Sequence, residues 1–237
     1  GGGWYGPNSS NPLENPTSIS NAAQIIAIVI IPMAMVWMMG GLWQQRRFAL
    51  LTFGVMALLS VSLTALAIYS EQQPNPAFAG LASVDGNMEG KEVRFGPELS
   101  ALWASVTTQT SNGSVNAMHD SLNPLAGLTT RAAMLINAIW GGIGCGLVNY
   151  LVYVWCAVFF AGLMIGKTPE MFGRKLEKTE LGLIGALLVL PSAVILTFTA
   201  ITVSIPGLAG TSNPGLHGLS QVFYEYTSAF ANNGSGF

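Results

Sequence analysis

The chain has 237 residues, of which 51% are hydrophobic and only 8% charged, and its formal net charge is −2. A soluble domain carries about 25% charged residues, so this composition, with a mean hydropathy of +0.49, describes a chain measured in membrane spans. It excludes a nucleic-acid binder, which needs a basic patch to neutralise phosphates.

Four long apolar runs and two short ones follow in order. Residues 19–40 come after Thr17, Ser18 and Ser20, each able to cap a helix. The run suits the roughly 30 Å hydrocarbon core, and lipid tolerates its Pro32 better than water does. A turn with Arg46 and Arg47 and no acid leads to the second run, 48–69, which ends on Tyr69, a residue suited to the interface. The connection over 70–100 carries Lys91 and Arg94 against Glu71, Asp85, Glu89, Glu92 and Glu98. It contains Pro97-Glu98, a good helix start. Residues 97–108 are too short to span and run into a polar loop, Thr107 to Ser114.

The third long run, about 132–165, is too long. An unbroken helix there would reach about 50 Å. Its sequence Gly141-Gly142-Ile143-Gly144-Cys145-Gly146 puts four weak helix formers together, each about 1 kcal/mol worse than alanine. A break with irregular backbone at membrane depth is expected. A helix–helix contact through Gly141 and Cys145 on one face is the alternative. Cys145 and Cys156 share this run as buried small hydrophobes; as helix neighbours they are too far apart to bridge. The connection at 166–180 holds Lys167, Arg174, Lys175 and Lys178 against Glu170, Glu177 and Glu180. The fourth run, 181–205, carries Pro191. A second short segment, 217–231, ends in Ala231-Asn232-Asn233-Gly234-Ser235-Gly236.

Basic residues mark the cytoplasmic side, which places both glycine loops on the outer side behind an acidic vestibule that would concentrate cations. In hydrocarbon, unpaired peptide groups survive only when buried in protein or lining a wet path. Carbonyls of such loops are suited to a cation, and so is the negative C-terminal end of a half-membrane helix. Superposing Gly113 on Gly234 places Asn112 on Asn233, Ser114 on Ser235 and Trp103 on Tyr224. Setting Gly1 on Gly113 brings Asn11-Pro12-Leu13 onto Asn123-Pro124-Leu125 without a gap. Repeats of outer helix, re-entrant helix, glycine loop and inner helix result, an arrangement that builds transport sites at repeat interfaces. The expected fold is an all-α membrane protein of such channel-like units. Residues 1–40 would end a second repeat, 41–180 form a third, and 181–237 start a fourth. Opening and closing inside glycine loops suggests an internal piece of a longer polypeptide.

Asn112 and Asn233 are expected to brace their loops, and Gly113 and Gly234 to supply the positive φ that aligns carbonyls. His119 and Asp120 read as a structural hydrogen-bond pair, being too few ligands for a metal site. Glu225, at membrane depth, needs a partner; Arg131 is the candidate for it or for Asp120. No phosphate-binding motif follows the opening glycines, and no nucleophile–base pair is evident.

The strings Thr110 to Ser121 and Glu225 to Phe237, with Gly1-Gly2-Gly3 followed by Glu14-Asn15-Pro16-Thr17, closely resemble the KdpA family. Its members are potassium-binding and translocating subunits of bacterial potassium-transporting ATPases. The resemblance runs the full length of the chain. It implies potassium coordination by backbone carbonyls at Gly1, at Thr110, Ser111, Asn112 and Gly113, and at Asn232, Asn233 and Gly234. It further implies that Gly141, Gly142, Gly144 and Gly146 form an interrupted inner helix that obstructs the vertical route and turns the ion sideways. Potassium would be the transported ion, with no metal beyond it and no organic cofactor. ATP would be hydrolysed by a KdpB-like partner, alongside a KdpC-like accessory subunit, in a multi-pass inner-membrane complex surrounded by lipid. A passive or ion-coupled potassium channel of the same four-repeat kind is the competing reading, since neither needs a catalytic residue.

Overall fold

The computed structural model describes residues 2–78 and 86–237; Gly1 and Asp85 lie outside them. Seven α-helices are found among the described residues: α1 (Ser18–Leu42), α2 (Arg46–Glu71), α3 (Gly96–Gln109), α4 (Pro124–Ile136), α5 (Cys145–Ile165), α6 (Lys178–Ser204) and α7 (Gly215–Phe230). A two-stranded hairpin, β1 (Glu170–Met171) and β2 (Arg174–Lys175), joins α5 to α6. Helices α1, α2, α5 and α6 are long and apolar enough to cross a membrane. Their outward faces carry exposed Leu51, Leu58, Val148, Leu163, Leu183 and Val189, as a lipid-facing surface does. The protein is an all-α membrane protein.

Local chemistry sets the boundaries. Thr17 caps α1 by accepting from the Ser20 amide, and Ser20 returns the bond in a capping box. The Asn-Pro pair abutting α1 is therefore Asn15-Pro16. Asn11-Pro12-Leu13, which the ungapped register matched to Asn123-Pro124-Leu125, lies in a turn, with Asn11 accepting from the Leu13 amide. Asn123 and Pro124, by contrast, start α4 directly.

Helices α2, α3 and α4 approach closely because Ala67, Ala101, Ala104 and Ala126 meet between them, small residues that let backbones pack where no hydrophobic drive exists in lipid. The long third run is interrupted, as expected. Helix α4 ends at Asn137 in the left-handed region (φ 45°), and Trp140, Gly141, Gly142 and Gly144 also take positive φ before α5 begins at Cys145. Ile139 and Trp140 anchor this segment in a core with Val36, Met56 and Leu147. A tight contact exists here, but not between helices. A methyl group on Gly146 would lie 2.6 Å from the Gly141 Cα and 2.8 Å from the Trp140 carbonyl, so the glycines let the break close on itself. Cys145 and Cys156 are free and half-buried rather than buried.

The break leaves peptide groups that lipid cannot satisfy. Gly141 N–H donates to the Gln109 carbonyl (3.0 Å) and Gly142 N–H to the Thr110 carbonyl. Asn149 Nδ2 donates to the Asn137 carbonyl at 2.9 Å, and the Tyr153 hydroxyl to Ile136 at 3.0 Å. At the far end, Phe172 of the hairpin packs on Trp43 and Phe48. The two basic connections thus share one side of the molecule.

Candidate ion-binding site

Helix α3 starts with proline in its first turn and Glu98 beside it, yet from Ser100 to Gln109 it is almost wholly buried. Its polar side chains find partners on α2. Gln109 joins Ser60, Thr64 and Ser105, and the Thr64 and Ser105 hydroxyls meet at 2.9 Å. The chain then enters the first glycine loop. Ser111 (φ 53°) and Gly113 (φ 81°) flank Asn112, whose amide donates to the Thr107 carbonyl (3.2 Å). The Asn112 Oδ1 accepts from the Ser114 amide (3.1 Å) and hydroxyl. Trp103 Nε1 clamps the Ser114 carbonyl at 3.0 Å.

The second loop repeats this geometry 121 positions later. Asn232 (φ 62°) and Gly234 (φ 84°) flank Asn233, whose amide donates to Ser228 at 3.0 Å. The Asn233 Oδ1 accepts from the Ser235 amide (3.1 Å) and hydroxyl. Tyr224, at the position of Trp103, reaches Ser235 with its hydroxyl at 2.7 Å. Each asparagine oxygen is thus engaged within its own loop, as the sequence led us to expect.

The two loops touch. A methyl group on Gly113 would overlap the Asn233 carbonyl oxygen, and Asn233 Nδ2 donates to the Thr107 carbonyl at 2.7 Å. On one side of them lies a cavity of about 550 Å³, lined by Thr110, Ser111, Asn112 and Asn232, by Gly142, Ile143 and Cys145 of the break, and by Ile28, Ile31 and Pro32 of α1. Of the residues picked out in the sequence, Thr110, Ser111, Asn112, Asn232 and Gly142 line this cavity; Gly113 meets Asn233 and Gly234 where the loops touch, while Gly141 and Gly146 pack on each other and Gly144 lies near Met35. Gly1 lies outside the described residues.

Beyond the loops several expectations change. His119 and Asp120 are not bonded to each other; both reach toward α7 instead. His119 Nδ1 meets the Tyr224 hydroxyl at 2.6 Å. Asp120 pairs with His217 and accepts from Asn213 (2.8 Å) and Ser212 (3.3 Å). Arg131 pairs with neither Asp120 nor Glu225. Its guanidinium lies over the Phe237 and Tyr224 rings, 4.5 and 5.6 Å from their centroids, and donates to the Gly127 and Ser220 carbonyls. Asp120 is instead held by His217, Asn213 and Ser212, which leaves the aromatic faces and two carbonyls to the guanidinium. Glu225 is exposed and accepts from the Phe237 amide at 2.8 Å.

A cluster that sequence reasoning passed over sits on the same side. Glu71 and Lys91 form an ion pair at 2.7 Å with both side chains fully buried. Glu71 also accepts from the Asn123 amide (2.6 Å), at the start of α4, and from Asn87 Nδ2 (2.9 Å). Burial pulls the Lys91 ammonium below its ordinary range while Glu71 draws it back up. The expected acidic vestibule loses Glu71 to this pair, and Glu92 is paired with Arg94. The available signal was an acid at the end of an apolar span with a lysine twenty residues on. No group of three or more metal-ligating side chains occurs among the described residues.

Residues 1–237 match the family described as KdpA, potassium-transporting ATPase A subunit. The chain is similar to proteins named potassium-transporting ATPase potassium-binding subunit from several bacteria. Identity is 49% to that of Gloeobacter violaceus, covering all of this chain and 41% of the relative. It is 46% to that of Geobacillus kaustophilus and 48% to that of Pseudomonas aeruginosa, each covering all of this chain and 43% of the relative. The chain spans about two-fifths of the length of these curated relatives. Matched along its whole length, with two like loops facing one cavity, the chain belongs to the KdpA family.

Proposed function

We propose that this chain forms part of the potassium-selecting and translocating path of an ATP-driven uptake pump. The observation that carries the reading is the pair of like-folded glycine loops meeting at Gly113 and Asn233 over a shared cavity. Backbone carbonyls of Ser111, Asn112 and Gly113 serve the ion in one loop, with that of Thr110 shared with the Gly142 N–H, and those of Asn232, Asn233 and Gly234 serve it in the other. Such oxygens replace a cation's hydration shell, and positive φ at the glycines turns successive carbonyls the same way. Residues 1–40, 41–180 and 181–237 are read as the end of one repeat, a whole repeat and the start of the next. The break at Gly141 to Gly146 closes the straight route beneath the first loop. ATP hydrolysis belongs to a KdpB-like subunit, with a KdpC-like accessory subunit, in the bacterial inner membrane with the loops facing out. The names of the relatives, which speak of a potassium-binding subunit of an ATPase, support the pump over a passive channel.

The test is co-purification of the full-length protein with an ATP-hydrolysing subunit, followed by hydrolysis assays with and without potassium. Potassium-stimulated hydrolysis and ATP-dependent uptake into vesicles are expected. Potassium flux that ignores ATP would overturn the pump in favour of the channel.

A further inference from the structure

The two loops share one backbone geometry but are braced differently. In the first, Trp103 Nε1 donates straight to the Ser114 carbonyl. In the second, the brace is a chain of side chains that begins in the other half of the molecule, at His119.

Its proton order can be deduced link by link. The Thr107 carbonyl can only accept, so the group of Asn233 facing it at 2.7 Å is the Nδ2 donor. The Asn233 Oδ1 is therefore the acceptor for the Ser235 amide and hydroxyl. A serine hydroxyl has one proton, and that of Ser235 points at Asn233. The Tyr224 hydroxyl, 2.7 Å from Ser235 Oγ, must then donate to it. Tyr224 also has one proton, so at its 2.6 Å contact with His119 Nδ1 it accepts. His119 must carry its proton on Nδ1.

We infer that His119, held as the Nδ1–H tautomer, is a positioning residue for the second glycine loop, acting through Tyr224 and Ser235 on Asn233. The inference rests on the reading of that loop as an ion filter. The chain of bonds is buried along its length, with His119 at 2%, Tyr224 at 0%, Ser235 at 2% and Asn233 at 4% exposure. Burial, with Arg131 and Lys91 nearby, pushes the His119 imidazole down to about 4. It is neutral at physiological pH and has one N–H to place. The order also reaches the first loop, because Asn233 ends it on the carbonyl that holds Asn112. His119 thereby couples the outer segment between α3 and α4 to both loops.

The amide nitrogen of asparagine occupies the position of imidazole Nδ1, whereas that of glutamine mimics Nε2. In the full-length protein within its complex, His119→Gln and Tyr224→Phe should each raise the KM for potassium about fivefold, the scale of one buried hydrogen bond. The kcat should stay within about twofold, and stimulation by rubidium should rise. His119→Asn should restore most of the affinity. Equal behaviour of the asparagine and glutamine variants, or an unchanged KM in Tyr224→Phe, would overturn the inference. Where a variant fails to assemble, 15N shifts of labelled histidine in the unmodified protein decide: an Nδ1–H ring at His119 is expected, and an Nε2–H ring overturns it. Gly113→Ala, run in parallel, separates the levels. If it too leaves the KM unchanged, the filter reading itself fails; if it alone raises the KM, only the role of His119 fails.

Discussion

Replacing Gly113 by alanine perturbs both glycine loops at once. At φ 81° an L-residue costs about 1–2 kcal/mol relative to glycine. The new methyl group would also overlap the Asn233 carbonyl oxygen, which is backbone and cannot rotate aside. Asn233 must shift, and its 2.7 Å bond to the Thr107 carbonyl is lost or stretched, worth about 1 kcal/mol net. The total is about 2–3 kcal/mol, and the part that moves carbonyls falls on the ion-bound state. At 1.4 kcal/mol per decade, potassium affinity should drop between about tenfold and a hundredfold, with other monovalent ions admitted. Potassium-stimulated hydrolysis by the purified complex reads the change, with thermal unfolding as the control for folding. Unchanged affinity and unchanged selectivity would refute the contact between loops as a determinant of the site.

The buried pair Glu71 and Lys91 should show strong coupling. Glu71→Gln or Lys91→Met alone strands the other charge and should destabilise by about 3–5 kcal/mol, whereas the double variant should lose clearly less than the sum; additive losses in thermal unfolding would count against it. Acid should weaken the protein through His119. Its imidazole titrates near 4 in the fold against about 6.5 in an unfolded chain, so the unfolded state binds the extra proton between these values. Stability is complete above about pH 6.5 and falls by at most about 3 kcal/mol as pH drops toward 4. Melting temperatures of His119→Asn should be flatter across that window; an identical slope would exclude the residue. Because Arg131 and Glu225 meet only through Phe237, one on its ring and the other on its amide, Arg131→Gln and Glu225→Gln should couple by no more than about 1 kcal/mol in potassium affinity, and a larger coupling would restore the direct pairing.

The spans were legible because hydropathy and length alone define a helix in lipid. Runs read at 19–40, 48–69 and 181–205 became α1, α2 and α6 with ends shifted by one to three residues. The break was legible because four glycines weaken a helix whatever surrounds it. The match of Trp103 with Tyr224 was visible as a position, but not as two different kinds of bond, each to its own loop. What stayed hidden depended on contacts distant in sequence. Glu71 meets Lys91, and Asp120 meets His217, only after helices with no charge pattern of their own have packed. The register of Asn11-Pro12-Leu13 failed because identity of residues outweighed the capping box at Thr17, a local signal that was already present.

The bonds from Gly141 and Gly142 to the Gln109 and Thr110 carbonyls alter the electric field as well as the shape. A half-membrane helix presents a negative end because its last carbonyls lack partners. Here two carbonyls at the end of α3, those of Gln109 and Thr110, already hold the Gly141 and Gly142 N–H groups. Part of the negative charge that an unpartnered helix end would show is thereby answered from within the chain. The break therefore weakens the dipole end of α3, and substitutions that draw Gly141 and Gly142 away from it would change the local potential before they opened any space.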